Sequence, residues 1–489
     1  MPLILPANTL STGGFSVANS CRFNDGDSAY MYRSNGTPTS QRILTISTWL
    51  KRGTDMATTD VYQYWMGIQD TGVGDPRMYI GFNDSGQLNT GEKDGAGENV
   101  WKFTTNRVFR DPSAWMNIVL SIDTTQGTEA NRVKIYVNGT QETSFATSTY
   151  PTENLDMDTT GNEINVACID NSSPSGFFDG YIAEMVYSDG QAYAASDFGE
   201  FDEDSPTIWK PKDVSGLTFG DNGFYLDFED SANLGNDANG GTDFTTSGLA
   251  ATDQATDTPT NNFCTLNPLY RSYDNDTVFS EGNLKASWAS NSDRGYGMST
   301  IGVTSGKWYC EVKAIDKGRL YLGVGDGNFL AGQTVPVWQP DPSNGIAINI
   351  NSGNMEYNGD TLNDTYGTGA SDDDIIQIAL DMDNYLLWFG INNTWMNSAT
   401  ETEIENSTAT NDVTTAIGTQ NIINNGEPIN IFALDGSTSG TTDAEFNFGN
   451  PPYANTSDAA DENGYGAFEF APPSGYYAVC TKNLAEFGG

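Results

Sequence analysis

Residues 379–393 read A-L-D-M-D-N-Y-L-L-W-F-G-I-N-N, and this stretch decides the fold of the chain. Apolar residues alternate on both sides of a short polar turn. One face takes Ile376, Ile378, Leu380 and Met382 from the first half, and Tyr385, Leu387, Phe389 and Ile391 from the second. A period of two predicts a half-buried antiparallel β-hairpin.

The composition extends this prediction to the whole chain. Gly is frequent, with 53 residues, and there are 10 Trp, 23 Tyr and 24 Phe. Such a mixture is typical of many short strands joined by polar turns. A chain of 489 residues is also too long for one hydrophobic core. We therefore predict an all-β protein with two antiparallel β-sandwich (jelly-roll) domains joined by an irregular connector.

The predicted organisation has four parts: an N-terminal arm (1–14), a first sandwich (15–228), a connector (229–276) and a second sandwich (277–489). The arm is either a plain leader or an attachment peptide. The connector is rich in Asn, Asp, Gly and Thr, and a long segment without strand periodicity marks a domain boundary. Within the first sandwich, Asn138-Gly139 predicts a type I′ hairpin turn.

The charge of the chain excludes several kinds of partner. The formal net charge is −43, from 65 acidic and 22 basic residues. Contacts to phosphates need Lys and Arg, so we expect no nucleic-acid partner. Anionic membranes are disfavoured for the same reason, and no apolar run is long enough for membrane insertion. The charge agrees with solubility, or with work in salty water where repulsion is screened within roughly 10 Å.

The chain has no histidine and five cysteines. A Ser-His-Asp or Cys-His catalytic arrangement is therefore excluded within this chain. The cysteines are odd in number and have no C-x-x-C spacing, which argues against a disulfide framework or a zinc site. We expect buried free thiols, assembly in a reducing cytoplasm and, from the N-terminus, no signal peptide.

The second sandwich resembles the SPRY domain, a β-sandwich module that binds partners and does no chemistry. The resemblance rests on G-K-W-Y-C-E-V (306–312), L-Y-L-G-V-G (320–325), D-I-I-Q-I-A-L-D (374–381) and the hairpin at 379–393. The chain departs from the family at Tyr385, where a turn Gly is usual, and at Asn393, which replaces the Gly of an Asn-Gly pair. Asn tolerates a positive φ better than most residues, so the turns can adapt.

The first sandwich resembles the concanavalin A/laminin-G-like jelly roll. The resemblance rests on four stretches in the family's order: 44–52, 115–120, 132–139 and 177–187. Modules of this family often hold one calcium ion at a loop rim, which implies a calcium site. The weak candidates for its ligands are Asp170, Asn171 and Asp179. Turn formation is the alternative explanation for these residues, and otherwise we expect no cofactor.

The pairing of the two modules also resembles structural proteins of marine tailed phages. The stretches that carry this likeness are 197–202, 222–228, 256–268 and 476–484. The resemblance implies a virion protein that is assembled in the host cytoplasm and contacts other virion proteins. By analogy with viral fibres, we expect a homo-oligomer, with a trimer favoured.

An acidic stretch raises the question of catalysis. Glu200, Asp202 and Asp204 would share one face of a strand, as do the carboxylates of retaining glycosidases on jelly rolls. The third residue is not Glu, and Pro206 follows at once. A solvated acidic loop is the simpler interpretation, with cation binding as a further alternative.

Two tryptophans are the predicted ligand-binding residues. Trp338 lies in a Pro-rich loop, and Trp395 follows the hairpin at 379–393. Exposed rings on rim loops offer stacking surface for sugars or peptide side chains, although both could instead pack on their own core.

The predicted function is thus a non-catalytic virion surface protein, such as a tail fibre or a capsid fibre or decoration protein of a marine phage. It would bind a glycan or protein of the host surface through loops of the sandwiches. A secreted jelly-roll carbohydrate-active enzyme and a bacterial adhesin module are the alternatives.

Overall fold

The chain folds into two compact units, Leu10–Thr260 and Asn261–Gly489. A computed structural model describes most residues of each unit. The described residues are 14–53, 62–69, 78–170, 173–203, 205–271, 277–289, 295–327, 345–357, 360–363, 365–417, 423, 426–436 and 440–488. The predicted N-terminal arm therefore lies outside the described residues, except for Gly14.

The first unit consists of strands and short 3₁₀ turns. Its strands are β1 Ser20–Phe23, β2 Tyr30–Ser34, β3 Ile43–Arg52, β4 Gln63–Gln69, β5 Met78–Phe82, β6 Gln87–Lys93, β7 Asn99–Val108, β8 Met116–Asp123, β9 Val133–Val137, β10 Thr140–Gln141, β11 Phe145–Thr149, β12 Glu163–Val166, β13 Gly180–Asp189, β14 Gly199–Phe201, β15 Trp209–Pro211, β16 Phe224–Leu226, β17 Thr245–Ser247 and β18 Gln254–Ala255. Its 3₁₀ turns are Asp25–Asp27, Glu129–Asn131, Ala195–Asp197 and Ala251–Asp253.

These strands form two main antiparallel sheets that enclose the core. The first sheet has the order β10-β9-β8-β3-β13-β1-β18, with β16 added beside β13. The second has the order β11-β7-β6-β5-β4-β12-β2-β17, and β14 and β15 form a separate pair. Alternate residues of both sheets are buried between them, among them Leu120, Ile135, Trp101 and Ile164. The predicted Asn138-Gly139 turn is confirmed, because both residues have positive φ and Val137 pairs with Thr140.

Part of the outer face of the first sheet is also buried. A cover segment, residues 190–203 and 205–221, lies on this face. Its Phe198, Trp209 and Phe219 form a second apolar cluster with Trp49 and Val186 of the sheet. This layer explains why β13 is buried at every position instead of alternating between buried and exposed.

Part of the predicted connector is ordered within the first unit. β17 pairs with β2, β18 pairs with β1, and Phe244 lies in the core between the sheets. The boundary between the two units falls inside the predicted connector, between Thr260 and Asn261. Residues 261–271 instead begin the second unit, where Leu266 is a core residue.

The second unit is a β-sandwich with three short helices. Its strands are β19 Leu266–Arg271, β20 Thr277–Ser280, β21 Lys285–Trp288, β22 Tyr296–Ser299, β23 Lys307–Asp316, β24 Leu320–Asp326, β25 Gly345–Asn349, β26 Asn354–Tyr357, β27 Asp360–Asn363, β28 Ile375–Asp381, β29 Leu386–Ile391, β30 Thr394–Trp395, β31 Ile429–Asp435, β32 Thr442–Asn447 and β33 Tyr477–Ala478. The helices are α1 Glu401–Glu405, α2 Val413–Ile417 and α3 Thr481–Phe487, and Met396–Ser398 is a 3₁₀ turn.

The sheets of this unit have the orders β19-β22-β31-β24-β25-β26-β27 and β20-β21-β32-β23-β28-β29-β30, with β33 parallel to β23. The predicted hairpin is confirmed as β28–β29, in which Ile378 pairs with Phe389. It is buried on both faces, however, and not on one. Leu386 and Trp388 of the second face pack in a separate cluster with Phe468. With this difference, the predicted all-β sandwich fold class is confirmed.

The two departures from the SPRY pattern occur where the backbone is left-handed. Tyr385 has φ +58° at the hairpin turn. Asn392 and Asn393 have φ +45° and +62°, and they join the paired residues Ile391 and Thr394. The positions that favour Gly thus keep the backbone conformation that Gly prefers.

Replacing Tyr385 by Gly is expected to raise the free energy of unfolding of the second unit by about 0.5–1 kcal/mol, because a non-glycine residue with positive φ is strained. Urea denaturation of the full chain measures this. Tyr385→Ala is the matched control, since it removes the ring but keeps the strain, and should not be stabilised. A Gly variant no more stable than the Ala variant would contradict the interpretation.

The expectation of buried free thiols is confirmed, because all five cysteines are free and buried. Burial raises the pKa of the Cys168 and Cys480 thiols to about 12. Among the described residues, no helix is both long and apolar enough to cross a membrane.

Candidate functional site

A cavity of about 310 Å³ opens on the outer face of the first sheet of the first unit. The alternation of β8 and β9 produces its floor. Val133, Ile135 and Val137 point into the core, so Lys134 and Tyr136 point outward. Ser121 pairs with Lys134 across the two strands and completes the floor.

The opposite wall of the cavity is the start of the cover segment, Ala192, Tyr193 and Ala194. Thr45 of β3, a fully buried residue, holds this wall in place. Its hydroxyl donates a hydrogen bond to the carbonyl of Gln191 (2.8 Å) and accepts one from the backbone N–H of Tyr193 (2.9 Å). Two tyrosine rings therefore line one cavity from different layers of the fold.

The hydroxyl of Tyr193 is fixed by the cover segment itself. It accepts a hydrogen bond from the backbone N–H of Thr218 at 2.8 Å. Its ring contacts Phe198 edge to face, with 6.0 Å between the ring centroids. This ring is therefore held in a fixed position before any ligand enters.

Four other polar side chains of the cavity have no hydrogen-bond partner among the described residues. They are Ser121, Asn131, Lys134 and Tyr136. Together they offer hydroxyl, amide and ammonium groups around one small volume. A concave site with a few convergent polar groups and aromatic rings is the usual form of a small-ligand site.

The rim of the cavity carries one fixed negative charge. Asp123 accepts hydrogen bonds from the N–H and hydroxyl of Thr125 (3.0 and 2.6 Å) and from the amide of Gln126 (2.6 Å). Burial alone would raise the pKa of Asp123, but these hydrogen bonds, with a further contribution from Lys134, lower it below its usual value. Burial also raises the pKa of the Tyr136 hydroxyl. At neutral pH the cavity thus presents the carboxylate of Asp123 and the neutral phenol of Tyr136.

The ligand-binding residues predicted from sequence lie elsewhere. Trp338 is outside the described residues. Trp395 is half-buried in β30, and its ring packs over Gly390 and against an apolar cluster of its own unit. Their roles in ligand binding stay predictions.

The predicted calcium ligands are only partly described. Asp170 and Asp179 are both buried, and Asn171 is outside the described residues. Over the part of the chain that the structure describes, no group of three or more His, Cys, Asp or Glu could hold a metal ion. The calcium site stays a prediction.

The acidic stretch is not part of the cavity. Asp202 is buried 3.4 Å from the ammonium of Lys210, and Glu200 lies 3.8 Å from the same ammonium. Glu200 of β14 and Asp202, just after this strand, thus both face the same cation. Asp204 is outside the described residues.

Part of the cavity could be predicted from the alternation of apolar and polar residues in β9. Lys134 and Tyr136 alternate with buried residues, so a half-buried strand already predicts that both point outward. Tyr193 carries no such signal, because its position depends on the hydrogen bonds to Thr45 and Thr218, which are distant in sequence.

Residues 25–193, which carry nearly all of this cavity, match the family model of the concanavalin A-like lectin/glucanases superfamily. A domain of this type indicates carbohydrate or protein binding. A comparison with curated protein sequences found no match.

Solved structures similar to the chain include two SPRY-type domains and a pentraxin. The SPRY domain of human HERC1 is 18% identical, with a TM-score of 0.26, over 37% of this chain and 96% of that one. The PSpry domain of TRIM65 is 11% identical, with a TM-score of 0.25, over 38% and 92%. The heptameric SAP-like pentraxin from Limulus polyphemus is 13% identical, with a TM-score of 0.27, over 37% and 80%.

Proposed function

We propose that the protein is a non-catalytic recognition protein whose first unit binds a saccharide in the cavity between Tyr136 and Tyr193. The main support is that four polar side chains of the cavity, including Tyr136, have no hydrogen-bond partner among the described residues. The rings of Tyr136 and Tyr193 line the same space. Sugars combine hydroxyl groups with apolar ring faces, and tyrosine rings with polar neighbours complement both. The volume of about 310 Å³ is at the small end of ligand sites and suits a single sugar residue or chain end.

In the wider proposal, this unit and the SPRY-like unit form a surface protein of a marine phage virion, as a tail fibre or a capsid fibre or decoration protein. The resemblance of the sequence stretches to phage structural proteins supports it. Its partners would be other virion proteins and a glycan or protein of the host surface, and it would assemble as a homo-oligomer. Mass spectrometry of purified particles tests this part separately.

Binding is tested by screening the full chain on a glycan array and titrating the best ligand by calorimetry. Tyr136→Ala and Tyr193→Ala are each expected to weaken binding about 10-fold or more, because an aromatic contact is worth about 1 kcal/mol or more beyond its buried area. Tyr62→Ala is the matched control, since Tyr62 is an exposed tyrosine of the same unit outside the cavity.

Three results would overturn the proposal. If no saccharide bound, or if the cavity variants bound as tightly as the wild type, the site assignment would fail. If incubation with polysaccharide released new reducing ends, the non-catalytic assignment would fail, and the carbohydrate-active enzyme would replace it.

A further inference from the structure

We infer that the saccharide carries a negatively charged group, a carboxylate or a sulfate ester, that pairs with Lys134. The inference rests on the proposed function, because it specifies the ligand of the same cavity. Lys134 lies half-buried on the floor of the cavity, next to Ser121.

Within the described part of the chain, Lys134 has no carboxylate within 4.0 Å of its ammonium and no side-chain hydrogen bond. Other shielded cations of this unit do have partners. Arg33 pairs with Asp237 at 3.0 Å, Lys51 with Asp257 at 2.6 Å, and Lys210 with Asp202 at 3.4 Å. In a chain with 65 acidic and 22 basic residues, an unpaired ammonium inside a cavity is available to an outside anion.

The nearest acid of the cavity does not take this role. Asp123 lies more than 4.0 Å from the Lys134 ammonium, and its two oxygens already accept hydrogen bonds from Thr125 and Gln126. These contacts hold Asp123 against its own loop. An anionic substituent can therefore reach Lys134 without displacing an existing ion pair.

The net charge of the chain opposes any anion, but distance decides which effect dominates. At physiological ionic strength, charges farther away than about 8 Å are largely screened. Lys134 would be in direct contact with the anion. Among the described residues that line the cavity, Asp123 is the acid that opposes an anion at short range, and its carboxylate lies more than 4.0 Å from the Lys134 ammonium. Lysine is a compact point charge, which accepts a carboxylate or a sulfate without a fixed approach geometry.

The test compares three oligosaccharides of equal length: a neutral one, its sulfated counterpart and a uronate. Each is titrated against the full chain at physiological ionic strength. Wild type is expected to bind at least one anionic ligand about 10-fold more tightly than the neutral one. Lys134→Gln removes this preference, and Lys134→Arg retains it. Lys102→Gln is the matched control, because Lys102 is also half-buried on a strand of this unit but outside the cavity.

The sulfated and uronate arms identify which anion is recognised. If neutral and anionic ligands bind equally and Lys134→Gln changes nothing, the inference fails while the proposed function stands. If no saccharide of any kind binds, the proposed function itself fails. Circular dichroism of each variant shows whether a lost preference reflects lost folding. If the Gln variant misfolds, the affinities of wild type for the neutral and the anionic ligands decide whether the inference holds.

Discussion

Replacing Arg33 by Ala is expected to lower the free energy of unfolding of the first unit by about 3–5 kcal/mol, the usual cost of leaving one partner of a buried ion pair alone. Arg33 lies on β2 and is almost fully buried. Its guanidinium donates to Asp237 (3.0 Å) and to the carbonyls of Thr242 (2.8 Å), Asn222 (2.6 Å) and Gly223 (3.1 Å). One side chain thus connects residues 222–242 to the sandwich.

The surroundings of this guanidinium make the loss large. Its central carbon lies 5.1 Å from the ring centroid of Phe224 and 4.9 Å from that of Phe244, so two cation–π contacts disappear as well. Asp237 also accepts hydrogen bonds from the backbone N–H groups of Tyr225 and Asn239. Without Arg33, this carboxylate would stay buried with no cation beside it.

Guanidinium chloride denaturation of the full chain, followed by tryptophan fluorescence, measures the effect. Arg33→Lys is the conservative variant. It keeps the charge but cannot span all four acceptors, so its loss should fall between those of wild type and Ala. Arg42→Ala is the matched control, because Arg42 pairs with Asp156 at the exposed surface and its loss should cost far less than the loss of Arg33. Similar losses for Arg33→Ala and Arg42→Ala would show that the buried cluster is not needed.

This cluster also shows where sequence reasoning stopped. Strand periodicity identified the sandwich strands and the Asn138-Gly139 turn, because those signals are local. Arg33 lies on the same buried face of β2 as Met31, two residues earlier, and no neighbouring residue in the sequence is a candidate acidic partner. Its partners lie about 190–210 residues later, in a stretch whose composition is that of a loop. Nothing local shows that this stretch packs on β2.

The β28–β29 hairpin shows a different limit of prediction from the sequence. Its first face was predicted correctly except at Tyr385, which is exposed at the turn before β29. The second face also contained Leu386 and Trp388, and these two apolar residues were a readable sign of burial on both sides. The residues that cover this face, such as Phe468 and Tyr476, come from a distant segment. The cavity combines both cases, because Lys134 and Tyr136 follow from alternation, whereas Tyr193 follows from tertiary contacts alone.

The second prediction with a large effect concerns Glu184, an acid buried in the first sheet. It lies at a bulge of β13 with φ +46° and accepts a hydrogen bond from the hydroxyl of Tyr225 at 2.7 Å. Burial raises the pKa of this carboxyl to about 8. The Tyr225 hydrogen bond lowers this pKa, and the negative charges of Asp227 and Glu229 raise it. Glu184 is therefore largely protonated in the folded protein at neutral pH.

The sign of the pH dependence follows from this difference. In the unfolded chain Glu184 has a pKa of about 4.3, so between this value and about 8 the folded state binds more protons than the unfolded state. The contribution of Glu184 to stability is complete below the lower value and is lost as the pH rises through the higher one. The loss is on the order of 5 kcal/mol if the whole shift applies.

Glu184→Gln isolates this effect, because Gln has the same shape, can still accept from Tyr225 and does not ionise. The free energy of unfolding of both proteins is measured by urea denaturation from pH 5 to pH 9. The Gln variant is expected to gain stability relative to wild type steadily as the pH rises. All other acids, including Glu311 with a pKa raised to about 6 in the second unit, cancel in this difference. If the stability curves of the two proteins stay parallel, Glu184 is ionised over the whole pH range, and contacts other than protonation compensate for the burial of its charge.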